Sequence, residues 1–142
     1  MCSWSFRTYI LIHCNELNKQ IEEYFDGKRK EFSIPLAIVG TTFQKQAWLA
    51  LQAIPYGETR SYKEQAEFIG NPKAIRAVAR ANGDNRIAII IPCHRVIGAN
   101  GELVGYGGGL WRKRYLIELE QKHGNWKNSA NHVPKKRNTW LS

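Results

Sequence analysis

Cysteine is scarce in this chain: three in 142 residues, at positions 2, 14 and 93. An odd number at scattered spacing does not read as a disulfide framework, and a reducing compartment is expected. Cys2, His13 and Cys14 could offer metal ligands, but no fourth ligand stands at a finger-like spacing, so no metal is expected. Long apolar runs are missing too. Tyr9-Ile10-Leu11-Ile12 is too short, and too polar in its flanks, for a signal peptide or a membrane span. A soluble, intracellular protein without membrane contact is therefore expected. Acidic residues are few, 12 against 21 Lys and Arg, for a formal charge of +9. Folding does not require that imbalance, whereas a polyanionic partner would use it. No glycine-rich nucleotide loop joins a strand to a helix, since Gly105–Gly109 lacks the spacing and flanks, so no cofactor is expected.

What is present suits one domain with, at most, a fragment of a second. Hydrophobic residues make up 43% and include five tryptophans, enough for a modest core. From Asn15 to Phe25, Leu17, Ile21, Tyr24 and Phe25 fall at helical spacing, and Asp26-Gly27-Lys28 ends that helix. A polar linker follows to about Val39. Thr41 or Thr42 can cap a helix carrying Phe43, Ala47, Ala50, Leu51 and Ile54, which Pro55 stops. Ser61-Tyr62-Lys63-Glu64 is a capping box for a short helix that Gly70 closes. Asn71-Pro72 then reads as a cap and first helical position for a helix running to Asn82-Gly83.

Helix, glycine-containing turn, helix over residues 61–82 is the outline of a helix-turn-helix. On its second helix Lys73, Arg76 and Arg80 form one basic stripe, while Ile75, Val78 and Ala79 should look inward. Ala74, Ala77 and Ala81 keep the remaining surface small, so a backbone could approach a large partner closely. In a chain this basic, nucleic acid is the expected partner.

Ile87–Ile91 reads as a buried strand that delivers Pro92-Cys93-His94-Arg95. Asn100-Gly101 predicts a tight turn between Val96-Ile97 and Leu103-Val104. A helix from Leu110 to about Gln121 should bury Leu110, Tyr115, Leu116 and Leu119. The tail, 122–142, is polar, basic and without periodicity, and is expected to be disordered.

A free thiol is only a few per cent thiolate at neutral pH, so a nucleophilic Cys93 wants a base or positive charge nearby. In an extended segment Cys93 and His94 would point to opposite faces. A turn at this point, or an intervening water, would solve that geometry. A carboxylate must then hold the imidazole, and Glu102, Glu118 and Glu120 are equal candidates by spacing. Read alone, Cys93 could instead be a buried structural cysteine.

The stretch Ile91-Pro92-Cys93-His94-Arg95-Val96-Ile97 resembles the active-site signature of the methylated-DNA–protein-cysteine methyltransferases, the O6-alkylguanine-DNA alkyltransferases. The resemblance covers about residues 41–120. It includes Ile54-Pro55-Tyr56-Gly57-Glu58-Thr59, Ser61-Tyr62, Gly70-Asn71-Pro72-Lys73-Ala74, Arg76-Ala77-Val78, Asn85 and Tyr106. It implies a mainly α fold with short strands: a winged-helix-like helix-turn-helix alkyltransferase domain (41–121) and a basic tail (122–142). Ahead of them would stand a truncated remnant of an α/β, ribonuclease-H-like domain with its linker (1–40).

The resemblance also implies roles. Cys93 would accept the alkyl group, with His94 its base through a water, Glu120 orienting His94, and Asn85 bracing the turn. Tyr62 would donate towards the purine. Arg76 would enter the duplex in place of the flipped nucleotide, with Lys73, Arg80, Ala77, Ser61 and Tyr62 also at the DNA. Tyr106, Val96 and Gly107 would form the guanine pocket. The partner would be double-stranded DNA carrying O6-alkylguanine, with O4-alkylthymine a possible second lesion. The protein would act as a monomer, in the cytoplasm at the nucleoid if bacterial and in the nucleus if eukaryotic. Two features depart from the family: the shortened N-terminal part, and Gly107 where many members have serine. Competing readings are a lesion-binding relative without transfer, a helix-turn-helix regulator without chemistry, and a cysteine hydrolase, for which His13, His123 and His132 lie in poor contexts.

Overall fold

The computed structural model describes the backbone of residues 2–124 and the side chains of residues 14–124. The tail beyond, expected to be disordered, and the side chains of Cys2 and His13 lie outside the described residues. The chain divides into two compact units, Met1–Ala37 and Ile38–Ser142.

The first unit is helix α1 (Cys2–Phe25) and an extended segment. The helix ends where Asp26-Gly27 suggested. Lys28 N–H reaches Glu23 O at 2.8 Å and Gly27 N–H reaches Tyr24 O at 3.0 Å, with Gly27 at φ 75°. This is the left-handed termination that glycine favours. Gln20, fully buried, ties the extended segment back: Ser33 N–H donates to Gln20 Oε1 at 3.0 Å, and Gln20 Nε2 donates to Ser33 Oγ at 3.0 Å. No strand occurs among the described residues of this unit.

The second unit opens with α2 (Thr42–Gln52), capped by Thr41 in a full capping box with Gln44. A turn at Tyr56-Gly57 leads to β1 (Arg60–Ser61) and α3 (Tyr62–Phe68), where the Ser61–Glu64 capping box forms as its sequence requires. Gly70, at φ 81°, closes α3. Helix α4 is Ile75–Gly83, beginning later than the sequence suggested. Asn71 does not cap it. Its carbonyl instead accepts from Ala74 N–H at 3.0 Å, so Asn71, Pro72 and Lys73 make a turn and Lys73 precedes the helix.

Val78, Ala81 and Asn82 form the buried face of α4, whereas Ile75 and Ala79, expected inside, are exposed. A short helix can bury only about one residue per turn, and polar Asn82 takes its place there by pairing with Gln65. Asn82 Nδ2 donates to Gln65 Oε1 at 2.7 Å, and Gln65 Nε2 donates to Asn82 Oδ1 at 2.9 Å and to Ala47 O at 3.1 Å. Trp48 Nε1 donates to Ala81 O at 2.9 Å. Buried polar groups persist only when satisfied, so this network fixes α2, α3 and α4 together.

Residues 87–91 are a tight turn and not a strand. Ile91 N–H returns to Ile87 O at 2.9 Å, and Ile89 takes φ 75°. Apolar content suggested a buried strand, but only Ile91 is buried. Cys93–Arg95 then form one 3-10 turn that runs into β2 (Val96–Ile97). Strand β2 does not pair across Asn100-Gly101 as a hairpin. Its partner is β1, in parallel, with Arg60 opposite Val96 and Ser61 opposite Ile97. Asn100-Gly101 still turns the chain, with Gly98 N–H on Glu102 O at 2.8 Å, but Leu103-Val104 makes no strand.

Helix α5 (Leu110–His123) buries Lys113, Leu116, Ile117 and Glu120. Leu110 and Tyr115, expected in the core, are exposed. Two charged side chains, Lys113 and Glu120, stand on the buried face in their stead.

Candidate active site

The β1–β2 pairing is what assembles the site. It sets the start of α3, and so Tyr62, beside the 3-10 turn that carries Cys93. Asn85 holds the preceding turn from both ends: its Oδ1 accepts from Ile87 N–H at 3.0 Å, and its Nδ2 donates to Ile91 O at 2.8 Å. A β-branched residue in the left-handed region costs on the order of 1–2 kcal/mol. These bonds are what hold Ile89 there.

The 3-10 turn separates neighbours by burial. Cys93 stays partly exposed while His94 is fully buried. His94 Nε2 lies 2.7 Å from Glu120 Oε1, and Arg95 grips the same carboxylate through Nε on Oε2 and Nη2 on Oε1, both at 2.9 Å. Arg95 Nη1 also donates to Ile54 O at 2.6 Å. Burial alone would raise the Glu120 carboxyl, but the His94 hydrogen bond and then Arg95 outweigh it and bring it down to about 2. Glu120 is therefore an anion that must receive a proton-bearing nitrogen, which assigns the proton to Nε2 of the neutral ring. Nδ1 is then a bare acceptor, and it is buried with no hydrogen-bond partner. Burial keeps His94 below its ordinary value in spite of Glu120, so the ring is neutral at pH 7.

Burial raises the Cys93 thiol, only partly opposed by the Asn85 amide and the Lys113 charge. A thiol in that condition needs a base to become a nucleophile. Tyr62 and Tyr106 are both raised, first by burial and then by the negative charge that Cys93 would carry, Tyr106 to about 12. Both therefore keep their phenolic protons at neutral pH. Tyr62 OH donates to Val104 O at 3.0 Å. Val96 is fully buried, main chain included, and pairs with Arg60 in the small sheet. Gly107 is exposed with open space where a Cβ would stand. Ser61 is buried with its hydroxyl committed to Glu64 N–H at 3.1 Å. Lys73, Arg76, Ala77 and Arg80 are all exposed, on α4 and the turn before it.

The sequence reading missed two residues. Arg95 lies inside the quoted signature, and its adjacency to His94 was the available signal. Lys113 was legible as a lysine three and four residues before Leu116 and Ile117, on an otherwise apolar stripe.

A family model described as the DNA binding domain of 6-O-methylguanine DNA methyltransferase matches residues 42–122. The chain belongs to this family. Among its methyltransferase relatives, a methylated-DNA–protein-cysteine methyltransferase of Mycolicibacterium paratuberculosis is 60% identical over 105 residues, 74% of this chain and 64% of the relative. One from Methanosarcina acetivorans is also 60% identical over 105 residues, 74% of this chain and 67% of the relative. The crystal structure of Mycobacterium tuberculosis OGT in complex with DNA aligns at TM-score 0.76 with 56% identity, covering 78% of this chain and 68% of that one. The chain thus spans about two thirds of the length of these methyltransferases. Its mainly helical second unit, with the two-stranded sheet, has their fold.

Proposed function

We propose that this chain repairs DNA by direct reversal, moving the alkyl group of O6-alkylguanine onto its own Cys93. The observation that carries the reading is a partly exposed thiol followed directly by a buried, neutral imidazole whose Nδ1 is an acceptor without a hydrogen-bond partner. The named activity of relatives 60% identical supports it, and so does the DNA bound to a neighbour of the same fold.

The target carbon lies on a base oxygen inside the stack, so the nucleotide must first leave the duplex, at a few kcal/mol. Exposed Arg76, on the first turn of α4, fills the vacancy, while Lys73 and Arg80 hold phosphates. The alanine surface at Ala77 lets the helix backbone come close. Tyr106 and Gly107 wall the extruded purine, and backbone groups near Cys93 read its edge.

The Cys93 proton passes through a water to His94 Nδ1, and Glu120 stabilises the imidazolium. The sulfur attacks the alkyl carbon in line. The S–C bond forms, the C–O6 bond breaks with its electron pair going to the purine, and Tyr62 passes the purine a proton that the His94 imidazolium makes good through water, leaving both side chains neutral. The product is a thioether. It has no electrophilic carbonyl for water to attack, so each monomer acts once. The reading requires no cofactor.

Incubation with duplex DNA carrying O6-methylguanine should add one methyl mass to the Cys93 peptide. Cys93→Ala should lose that gain and keep DNA binding. Tight lesion binding with no mass gain would favour a lesion-binding relative, and preference for one base sequence would favour a regulator.

A further inference from the structure

The loop that carries the purine wall, Gly105-Tyr106-Gly107-Gly108-Gly109, has one large side chain and no others to pack. Glycine lowers every barrier to movement, so the shape of such a loop has to be imposed from outside. Adjacent residues of α5 hold its opposite ends, in different ways. Upstream, the Val104 carbonyl accepts from Lys113 Nζ at 2.8 Å and from Tyr62 OH at 3.0 Å. Lys113 is fully buried, so that end is fixed from the interior. Downstream, the Gly108 carbonyl accepts from Arg112 Nη1 at 2.7 Å, and Arg112 is exposed.

The surroundings make the Arg112 contact a clasp on Tyr106. The guanidinium carbon of Arg112 lies 4.6 Å from the Trp111 ring centroid, which restrains the side chain. A Cβ on Gly108 would stand 3.0 Å from Tyr106 Cε1 and 3.5 Å from Arg112 Cδ, so ring and stem close on the same glycine. Gly109 N–H donates to Tyr106 O at 3.0 Å and closes the turn that leads into α5. Gly107 lies between the two anchors, exposed, with nothing within 4 Å of the place a Cβ would take. Nothing there opposes outward movement of the loop once the Gly108 carbonyl is released.

We infer that Arg112 sets the width of the lesion pocket. It is a positioning residue that clasps the glycine-rich loop through the Gly108 carbonyl, keeping Tyr106 close about a small O6-alkyl group and disfavouring a long one. The inference rests on the reading of Tyr106 and Gly107 as the wall of the purine site. With the clasp made, a methylated purine meets a wall already in place. A longer chain has to push the loop outward and break the Arg112 bond first. Without the clasp the methyl group loses alignment, while the longer chain no longer has that bond to break.

The test is single-turnover transfer from duplexes carrying O6-methylguanine or O6-butylguanine, in wild type, Arg112→Met and Arg112→Lys. Methionine keeps an unbranched apolar stem and donates nothing, whereas lysine keeps the charge and a donor. The butyl-to-methyl rate ratio should rise about fivefold in Arg112→Met, the worth of one hydrogen bond. Arg112→Lys should return it towards wild type. A ratio in Arg112→Met within about twofold of wild type, less than that bond is worth, overturns the proposal. A general loss of fold or of DNA affinity slows both lesions alike and leaves the ratio where it was.

A second measurement needs no lesion. Exchange of the Gly109 amide with deuterium, followed by NMR, should quicken about fivefold in Arg112→Met as the turn opens. Unchanged exchange overturns the clasp. Failure of the functional reading looks different: wild type would then transfer neither alkyl group, whereas failure of this proposal leaves wild-type transfer intact and the ratio unmoved.

Discussion

His94 and Glu120 meet at 2.7 Å between Nε2 and Oε1, both out of contact with solvent, and the opposite ring nitrogen is left bare. The carboxylate thereby does two things. It selects the tautomer whose open nitrogen can take a proton, and it stabilises the cation that results. Arg95 completes the arrangement by keeping Glu120 ionised when His94 is neutral.

His94→Gln should slow methyl transfer by about 10²-fold or more, the usual worth of a positioned base. Single-turnover kinetics with excess protein over lesion DNA would measure it. A rate within about threefold of wild type would remove His94 from the chemistry.

Acid should destabilise this protein through the same cluster. Glu120 is lowered from 4.5 to about 2, so its contribution is complete above the unfolded value and is lost as pH falls from about 4.5 to about 2. The amount is on the order of 3 kcal/mol. His94 is lowered as well, so the unfolded chain takes up a proton first as pH drops below about 6.5, and the sign is the same. Urea unfolding between pH 7 and pH 3 should show steadily falling stability. Glu120→Gln should flatten the lower part of the curve while costing about 3–5 kcal/mol at pH 7, because Arg95 loses its buried partner.

Arg76→Ala should reduce repair in duplex far more than in single strands, since only a duplex leaves a vacancy to fill. Equal losses on both substrates would refute that role. The salt dependence of DNA binding should also weaken by about one phosphate's worth if Arg76 also touches the backbone.

Asn85→Ala should both loosen and de-activate the cysteine turn. It removes two hydrogen bonds, worth about 1–3 kcal/mol together, and with them the restraint on Ile89 at φ 75°. It also removes the amide that lowers the thiol. Calorimetry should show a lower Tm, and iodoacetamide should react with Cys93 only at higher pH.

Local chemistry was readable along the chain because it depends on neighbours in sequence. The cap at Thr41 or Thr42, the capping box at Ser61, the glycine stops at Gly27 and Gly70, and the exposed basic residues Arg76 and Arg80 needed no tertiary information. Cys93 stood out for the same reason, as did the need for a base and a carboxylate. By spacing alone the carboxylate could have been any of three glutamates. The choice of Glu120 came first from the family resemblance, and in the structure from the position of α5 against the 3-10 turn.

Where the sequence misled, a contact that composition and periodicity do not encode had overridden the pattern. Ile87–Ile91 has the composition of a buried strand, but the neighbouring Asn85 side chain bends it into a turn. Val96-Ile97 looked like half of a hairpin and pairs instead with Arg60-Ser61, more than thirty residues upstream. Apolar periodicity counted Tyr115 inside α5 and gave no place to Lys113, because periodicity cannot register a cation whose hydrogen-bond partners, Val104 O and Tyr62 OH, arrive from other elements. Residue identity thus determined which groups could do chemistry. The distances between them, and the burial that sets their charges, came only with the packing of α5 against the cysteine turn and the pairing of β1 with β2.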